Sequence, residues 1–298
     1  MHIDRGGLRI GLDHPKGDFS FLSHAHSDHT SGIRKQKNII ASDETLALAG
    51  IGQERFSHPM ARMVDAGHIL GSRQLVLEGD GEKLVYSGDI SIKPNVFGMK
   101  AGIERCDHLI LEATYGDPAY RFPSHERVHE DIARWVEGNE SCNLVIGAYS
   151  LGKTQEMIRI LNESGISPIV TEEAERFNEV YERYGLKLDR VVVGSEEAEE
   201  VMSGRFVALV PMGKAKRYFA HRLSEAFNRK TLCAAVTGWA LNFRFDTDAA
   251  FPLSDHADFD DLVRYVEESG AKKVEFFCGN GSRVLEAAKA ENGAIKNS

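Results

Sequence analysis

The stretch "SHAHSDH" (23–29) sets His24, His26, Asp28 and His29 within six positions, the pattern H-x-H-x-D-H. Imidazole nitrogens and carboxylate oxygens are the donors that zinc and related divalent cations take. Read as extended chain, His24 and His26 alternate, so both rings point the same way. Asp28 and His29 then turn off the strand end and reach a second position close by. A lone histidine is usually a hydrogen-bonded structural residue. Four donors packed this densely would cost on the order of several kcal/mol in desolvation and repulsion without a cation.

Two further stretches make rival claims. "GAYSLGKT" (147–154) matches G-x-x-x-x-G-K-[ST], the phosphate loop of nucleotide hydrolases. A working loop cradles phosphates with successive backbone N–H groups and favours small residues, whereas this one carries Tyr149 and Leu151. Such enzymes also need a strand ending in aspartate for magnesium, and "PIVT", "VVVGS" and "VALVP" lack one. No nucleotide cofactor is expected. What survives is a helix N-terminus carrying Gly152, Lys153 and Thr154, which would suit a single phosphate. "HERVH" (125–129) fits the H-E-x-x-H zinc-protease pattern. His125 directly follows a predicted Ser124 cap, so the pair falls in a first helical turn, and its expected place is an exposed polar face.

The elements that must position these residues read as follows. "LRIGLD", "DFSFLSH", "NIIAS", "ARMVDAG", "QLVLEG", "KLVYSGD" and "HLILEAT" are short apolar runs of strand length, several ending on His, Asp or Glu. "SDETLALAGIG" predicts a helix capped by Ser42 and stopped at Gly50 or Gly52. Beyond about residue 118 the texture becomes α/β: a helix over "PSHERVHEDIARWVEG", the strand "NLVIGA", a helix from about 151 to 162, then "SPIVT", "DRVVVGS" and "FVALVP" alternating with helices. From 253 onward come the helix "LSDHADFDDLVRYVEESG", the strand "KVEFFCG" and the helix "SRVLEAAKAEN". Site-like residues flank the middle block on both sides, so that block reads as an insertion.

The H-x-H-x-D-H signature resembles the metallo-β-lactamase superfamily. "AGHILGS" (His68), "YSGDIS" (Asp89) and "GLDHP" (Asp13) follow that pattern, while "LILEATYG" (Glu112) and "PLSDHADF" (His256) resemble its β-CASP branch, the nucleic-acid-cutting members. "GAYSLGKTQE" itself looks like a recurrent β-CASP segment. "YRFP", "SLGK", "TGW" and "SDHAD" look most like short bacterial and archaeal members described as ligase-associated DNA exonucleases or mRNA 3′-end processing factors.

The resemblance implies an αββα sandwich over 1–118 and 248–298, with a Rossmann-like α/β β-CASP domain inserted at 119–247. It implies two divalent ions, zinc or manganese: one on His24, His26, His68 and Asp89, the other on Asp28, His29 and Asp89. Asp13 would steady a ligand histidine. Asp28, His256 and Glu112 would form the catalytic set, with His256, oriented by Glu112, protonating the leaving oxygen of a phosphodiester. The family's last ligand is a histidine on the final strand. Here that place reads Cys278, either a substitute thiolate ligand or a small buried residue. Tyr149, Lys153, Lys214, Lys216 and Arg217 would guide a DNA or RNA strand. The implied activity is a nuclease, a DNA exonuclease with RNA processing close behind, working with DNA-repair or RNA-processing partners. The alternatives are a small-molecule metallo-hydrolase on the same core and a catalytically weak nucleic-acid-binding protein.

Composition sets bounds on these readings. The 298 residues are 42% hydrophobic and 27% charged, with a net charge of −9. That balance counts mildly against a polyanion ligand, but the stretch 213–230 holds Lys214, Lys216, Arg217, Arg222, Arg229 and Lys230 against Glu225 alone. Its plainer reading is a solvated helix face. Cys106, Cys142, Cys233 and Cys278 form no C-x-x-C pair, which suits a reducing cytoplasm rather than a disulfide framework. No signal-peptide-like run is seen at the N-terminus and no stretch is long and apolar enough for a membrane span.

Overall fold

Alternation along the strands decides how the N-terminal half packs. In this computed structural model, which describes residues 1–292 and 296–297, the chain divides into two compact units. One comprises 1–121 and 255–298, the other 122–254.

The first unit contains two sheets. The smaller pairs His2–Arg5, Leu8–Leu12, Phe19–Phe21 and Ile39–Ile40 in that order. The larger runs Lys296–Asn297, Lys273–Phe276, His108–Leu111, Glu82–Tyr86, Arg73–Gly79 and Ala61–Asp65 across its width. All seven apolar runs read as strands in this half therefore contain one. Leu75, Leu77, Leu84, Tyr86 and Ile110 point from the larger sheet into one core with Ile10, Leu12, Phe19, Phe21 and Ile40 of the smaller. Their immediate neighbours Val76, Val85, Leu109 and Leu111 face the opposite way, onto the helices Phe259–Ser269 and Gly281–Asn292 through Leu262, Tyr265, Val266, Val284 and Ala288. The period of two thus buries both faces of the larger sheet, one under a sheet and one under helices.

The second unit is a six-stranded sheet with every pair parallel: Val191–Val192, Ile169–Val170, Val207–Pro211, Asn143–Ala148, Thr231–Val236 and Ala249–Phe251. Five helices alternate with the strands: His125–Glu137, Lys153–Glu163, Glu172–Arg183, Glu196–Ser203 and Arg217–Phe227. The side-chain caps are the expected kind, with Ser124, Thr171 and Ser195 each accepting from the N–H three residues on. The edge strand Ala249–Phe251 pairs with Thr231–Val236, which carries this unit to Ser254 rather than to 247.

Candidate metal centre

Within the first unit, three separate segments, 24–29, 68 and 89, bring the donor side chains together. His24 and His26 lie just past the strand Phe19–Phe21, in irregular chain rather than the extended strand read from their alternation. Asp28 and His29 sit in the single turn Ser27–Thr30. His68 and Asp89 each follow a glycine at positive φ, Gly67 (72°) and Gly88 (54°). Close approach explains both. A Cβ on Gly67 would fall 2.4 Å from the Ala101 nitrogen, and one on Gly88 would fall 2.5 Å from the Ser23 Cβ.

One ligating atom from each of His24, His26, His68 and Asp89 lies within 4.8 Å of the others. His24 Nε2 and His68 Nε2 are each 3.1 Å from His26 Nδ1. Asp89 Oδ2 is 3.4 Å from His24 Nε2 and 3.8 Å from His68 Nε2. The far nitrogens fix the tautomers. His68 Nδ1 is 2.8 Å from the Asp255 carbonyl, which only accepts, so His68 donates there and its Nε2 carries a lone pair. Ser23 Oγ donates to Asp13 Oδ2 (2.6 Å), so it accepts from His24 Nδ1 (3.0 Å), and His24 Nε2 likewise carries a lone pair. Lone pairs and a carboxylate facing one another at these distances are satisfied together by a cation, so the donor set fits a divalent ion.

Electrostatics agree with that geometry. Burial lowers His24 well below the ordinary imidazole value, against the pull of Asp89. Burial, then the charges of His256 and His26, takes His68 down to about 3. Burial alone would raise Asp89, but the surrounding histidines, His24 first, hold it well below the carboxylate range.

A second position adjoins the first. His29 Nε2 is 3.5 Å from Asp89 Oδ2 and 3.7 Å from Asp28 Oδ2. Its Nδ1 donates to Asp13 Oδ2 at 2.7 Å. Although burial opposes it, hydrogen bonds to Asp13 and Asp89 push His29 up to about 11. Positive charge on the His29 ring is therefore stabilised by Asp13 and Asp89. Asp13 itself holds φ at 45°, rare for a non-glycine residue. It accepts from the Ser23 N–H (2.7 Å), from Ser23 Oγ and from the Tyr86 hydroxyl (2.9 Å) as well as from His29.

Beside this cluster, fully buried Glu112 accepts from His256 Nδ1 at 3.0 and 3.1 Å, from the Ile90 N–H at 2.6 Å and from Thr114 Oγ1 at 2.6 Å. Burial would depress His256, but the Glu112 carboxylate, with Asp89 and Asp255 behind it, raises it to about 9. The His256 ring lies 4.5 Å from that of His68. Cys278 Sγ sits 3.7 Å from Thr114 Oγ1 and is not one of the four converging donors. Burial, then Glu112, pushes its thiol up to about 12. Ser23, Tyr86, Thr114 and the Asp255 carbonyl were not singled out from the sequence. All four lie inside the quoted motifs "SHAHSDH", "YSGDIS", "LILEATYG" and "PLSDHADF", which was the available signal.

No protein-family model matches the sequence. A probable DNA ligase of Opitutus terrae is 32% identical over 278 residues, covering 86% of this chain and 26% of that protein. The 5′ exonuclease Apollo of Gallus gallus is 25% identical over 269 residues, covering 83% of this chain and 55% of its own length. An RNase J-like protein of Methanocaldococcus jannaschii is 28% identical over 176 residues, 54% of this chain and 41% of that protein. The chain belongs to the metallo-β-lactamase superfamily, in its β-CASP branch. It spans about a quarter of the first of these relatives and less than two thirds of the others. A crystal structure of an Enterococcus faecalis V583 protein of unknown function shares the fold, with a TM-score of 0.64 at 14% identity over 94% of this chain and 78% of that one. The β-CASP protein thus has the α/β architecture that its motifs imply.

The second unit corrects three expectations. Lys153, read as a strand-guiding residue, is 1% exposed, and its ammonium donates to Glu156 at 2.6 Å. A buried, engaged ammonium does not reach a solvent-borne phosphate. The Gly152 N–H is taken by Gln155 Oε1 (2.7 Å), and both the N–H and the hydroxyl of Thr154 are taken by the Tyr149 carbonyl (3.0 and 2.8 Å). The loop's donors thus face inward rather than toward a phosphate. His125 is buried and His129 half-buried, not the exposed face expected of "HERVH". Tyr149 is 49% exposed, and Lys214, Lys216 and Arg217 are exposed at the start of the helix Arg217–Phe227. Among the described residues no helix is long and apolar enough to cross a membrane.

Proposed function

We propose that the first unit is a two-metal phosphodiesterase centre and that the protein is a nuclease acting on DNA. The observation that carries this reading is the mutual approach of His24, His26, His68 and Asp89 to within 4.8 Å. The 122–254 unit is read as the inserted β-CASP domain, its parallel α/β sheet being the expected kind. One ion would take His24, His26, His68 and Asp89, and the other would take Asp28, His29 and Asp89. Zinc suits the nitrogen-rich first set, with manganese a substitute. Such ions, when bound, supply Lewis-acid charge that neutralises phosphodiester oxygens and makes water nucleophilic.

The chain's own groups do the rest. Asp13 fixes the His29 ring and the Asp255 carbonyl fixes that of His68, so the donors are positioned before substrate arrives. Glu112 holds His256 Nδ1, which turns Nε2 to the other side of the ring and stabilises its proton. His256 then gives that proton to the departing oxygen, general-acid help worth about 10²–10⁴-fold. Cys278, beside Thr114 rather than among the four converging donors, is read as a half-buried thiol near the site.

DNA is favoured because relatives named as DNA ligases cover most of this chain, 86% in Opitutus terrae and 85% in the DNA ligase 6 of Arabidopsis thaliana. A nick-sealing enzyme is the partner class those names suggest. RNA is the second reading, favoured by the RNase J-like relative over 54% of the chain. Four free cysteines, three of them buried, suit the reducing cytoplasm as the place of action.

The test incubates the purified protein with end-labelled DNA and RNA, single- and double-stranded, in zinc, manganese or magnesium. End-directed DNA ladders that vanish with chelator are expected. Turnover of a thioester or lactone with every nucleic acid left intact would replace the proposal with a small-molecule hydrolase.

A further inference from the structure

The protein carries a net charge of −9, yet one face of the second unit is built the other way. The helix Arg217–Phe227 opens on Lys214, Lys216 and Arg217, with no acidic residue in its first turn and no side-chain cap. Cations at the positive end of a helix dipole do not stabilise it, so the helix itself gives no reason for them. Lys214, Lys216, Arg229, Lys230 and Arg244 make no ion pair among the described residues, while Arg217 meets Asp248 at 3.4 Å and Arg222 meets Glu225 at 3.7 Å.

Two exposed aromatic rings lie within or close along the chain to this basic stretch. Tyr218 is 73% exposed and Phe243 is 58% exposed, the two highest values among the exposed large apolar side chains. The Arg217 N–H donates to the Asp246 carbonyl at 3.0 Å, so the segment leading from Phe243 runs against the first turn of this helix. Phe243 and Asp246 are three positions apart in the sequence, at most about 10 Å of chain. Trp239 supports Phe243 edge-on, with ring centroids 5.9 Å apart. A ring held by one edge contact and still 58% exposed can receive a flat partner. Neither Tyr218 nor Phe243 belongs to a buried cluster, so core packing does not account for either.

We propose that Tyr218 and Phe243, with Lys214, Lys216, Arg217 and Arg244 around them, form a base-stacking surface that holds a nucleic-acid strand whose bases are locally unpaired. Exposed cations satisfy the backbone phosphates, and each ring presents a face to a base; together these are the parts of a sequence-tolerant single-strand surface. A duplex, its bases stacked on one another, offers the rings nothing. The inference rests on the nuclease reading above and names where on the second unit its substrate would be gripped.

The test uses the full-length, metal-loaded protein carrying His256→Ala, so that oligonucleotide is bound but cut slowly. Fluorescence anisotropy measures a labelled single-stranded oligodeoxynucleotide against the same length of abasic phosphodiester chain. Tyr218→Ala and Phe243→Ala should each weaken the oligonucleotide by roughly 5- to 100-fold and leave the abasic chain unchanged. Lys214→Glu with Lys216→Glu should weaken both and lower the salt dependence by about 0.7 in logarithmic slope for each phosphate no longer neutralised. Unchanged melting temperatures in all the surface variants show that lost binding is not lost fold. Ring variants that bind the oligonucleotide like their parent would overturn the stacking surface while leaving the nuclease reading intact. A parent that binds no strand, together with a wild-type protein that digests none, would overturn both.

Discussion

Replacing Lys153 by methionine asks whether the phosphate-loop pattern is structural. Methionine keeps the length and apolar stem of lysine and deletes the ammonium. In the wild type that ammonium lies 2.6 Å from Glu156 Oε2, with side chains 1% and 5% exposed, and the other carboxylate oxygen, Oε1, has no hydrogen-bond partner. Removing one partner of a buried pair ordinarily costs about 3–5 kcal/mol, because the remaining charge is stranded. A stranded carboxylate can escape by taking a proton. For a carboxyl group of ordinary acidity that costs about 1.4 kcal/mol for each pH unit above ~4.3, or about 3.7 kcal/mol at pH 7, which caps the penalty. The expected loss is therefore about 3–4 kcal/mol at pH 7, or roughly 10–20 °C in the melting temperature of a domain of 100–150 residues. It should shrink to about 1 kcal/mol at pH 5, where protonation is cheap. Lys153→Met combined with Glu156→Leu removes both charges and should recover most of the loss. Calorimetric melts of the four proteins at pH 5 and pH 7 supply every number. A single variant that melts within 2 °C of wild type at pH 7, or a wild type that ATP stabilises, would refute the inward-facing lysine.

The remaining predictions concern the metal centre and one half-buried histidine. Asp89→Ala removes the carboxylate shared by both proposed ion positions, so metal content by mass spectrometry and nuclease activity should fall together; a variant with full metal would contradict the ligand set. His256→Ala should retain its metal and lose about 10²–10⁴-fold in rate, and an undiminished rate would remove His256 from the mechanism. Cys278→Ala should leave the metal content unchanged, since Sγ stands against Thr114 rather than among the donors; loss of one ion per chain would make Cys278 a ligand. Burial lowers the pKa of His129, with Glu156 pulling the other way. The unfolded chain therefore takes up the proton first as pH falls, and stability that is fully present above about pH 6.5 declines toward the lower folded value. His129→Gln should flatten that decline in melts between pH 7.5 and pH 5, and an unchanged slope would assign it to other groups.

How much of this was legible in the sequence depends on how local the cause was. Helices announced themselves through short-range chemistry: Ser42 and Ser124 cap where a side-chain oxygen precedes an apolar-periodic run. Strands were legible because alternation reports which face is buried, as the split of Leu75 and Leu77 from Val76 shows. The cluster at 23–29 was legible as chemistry because its donors are close in sequence. His68, Asp89, Glu112 and His256 were not, for spacing alone says nothing about approaches across tens of residues; family resemblance supplied them. Burial of charge in the second unit was the least legible. Lys153 and Glu156 lie a turn apart on a helix, the pattern of an exposed ion pair, and only the approach of neighbouring elements puts them inside. The same sequence logic that dismissed the phosphate loop for its bulky Tyr149 and Leu151 still credited Lys153 with an outward role. The inward turn of the whole segment is a consequence of Gln155 and Thr154 capturing the loop's own backbone groups. A pattern built of two glycines, one lysine and one hydroxyl is therefore ambiguous until the partner of the lysine is known: with phosphate it would be a binding loop, and with Glu156 it is a buried brace.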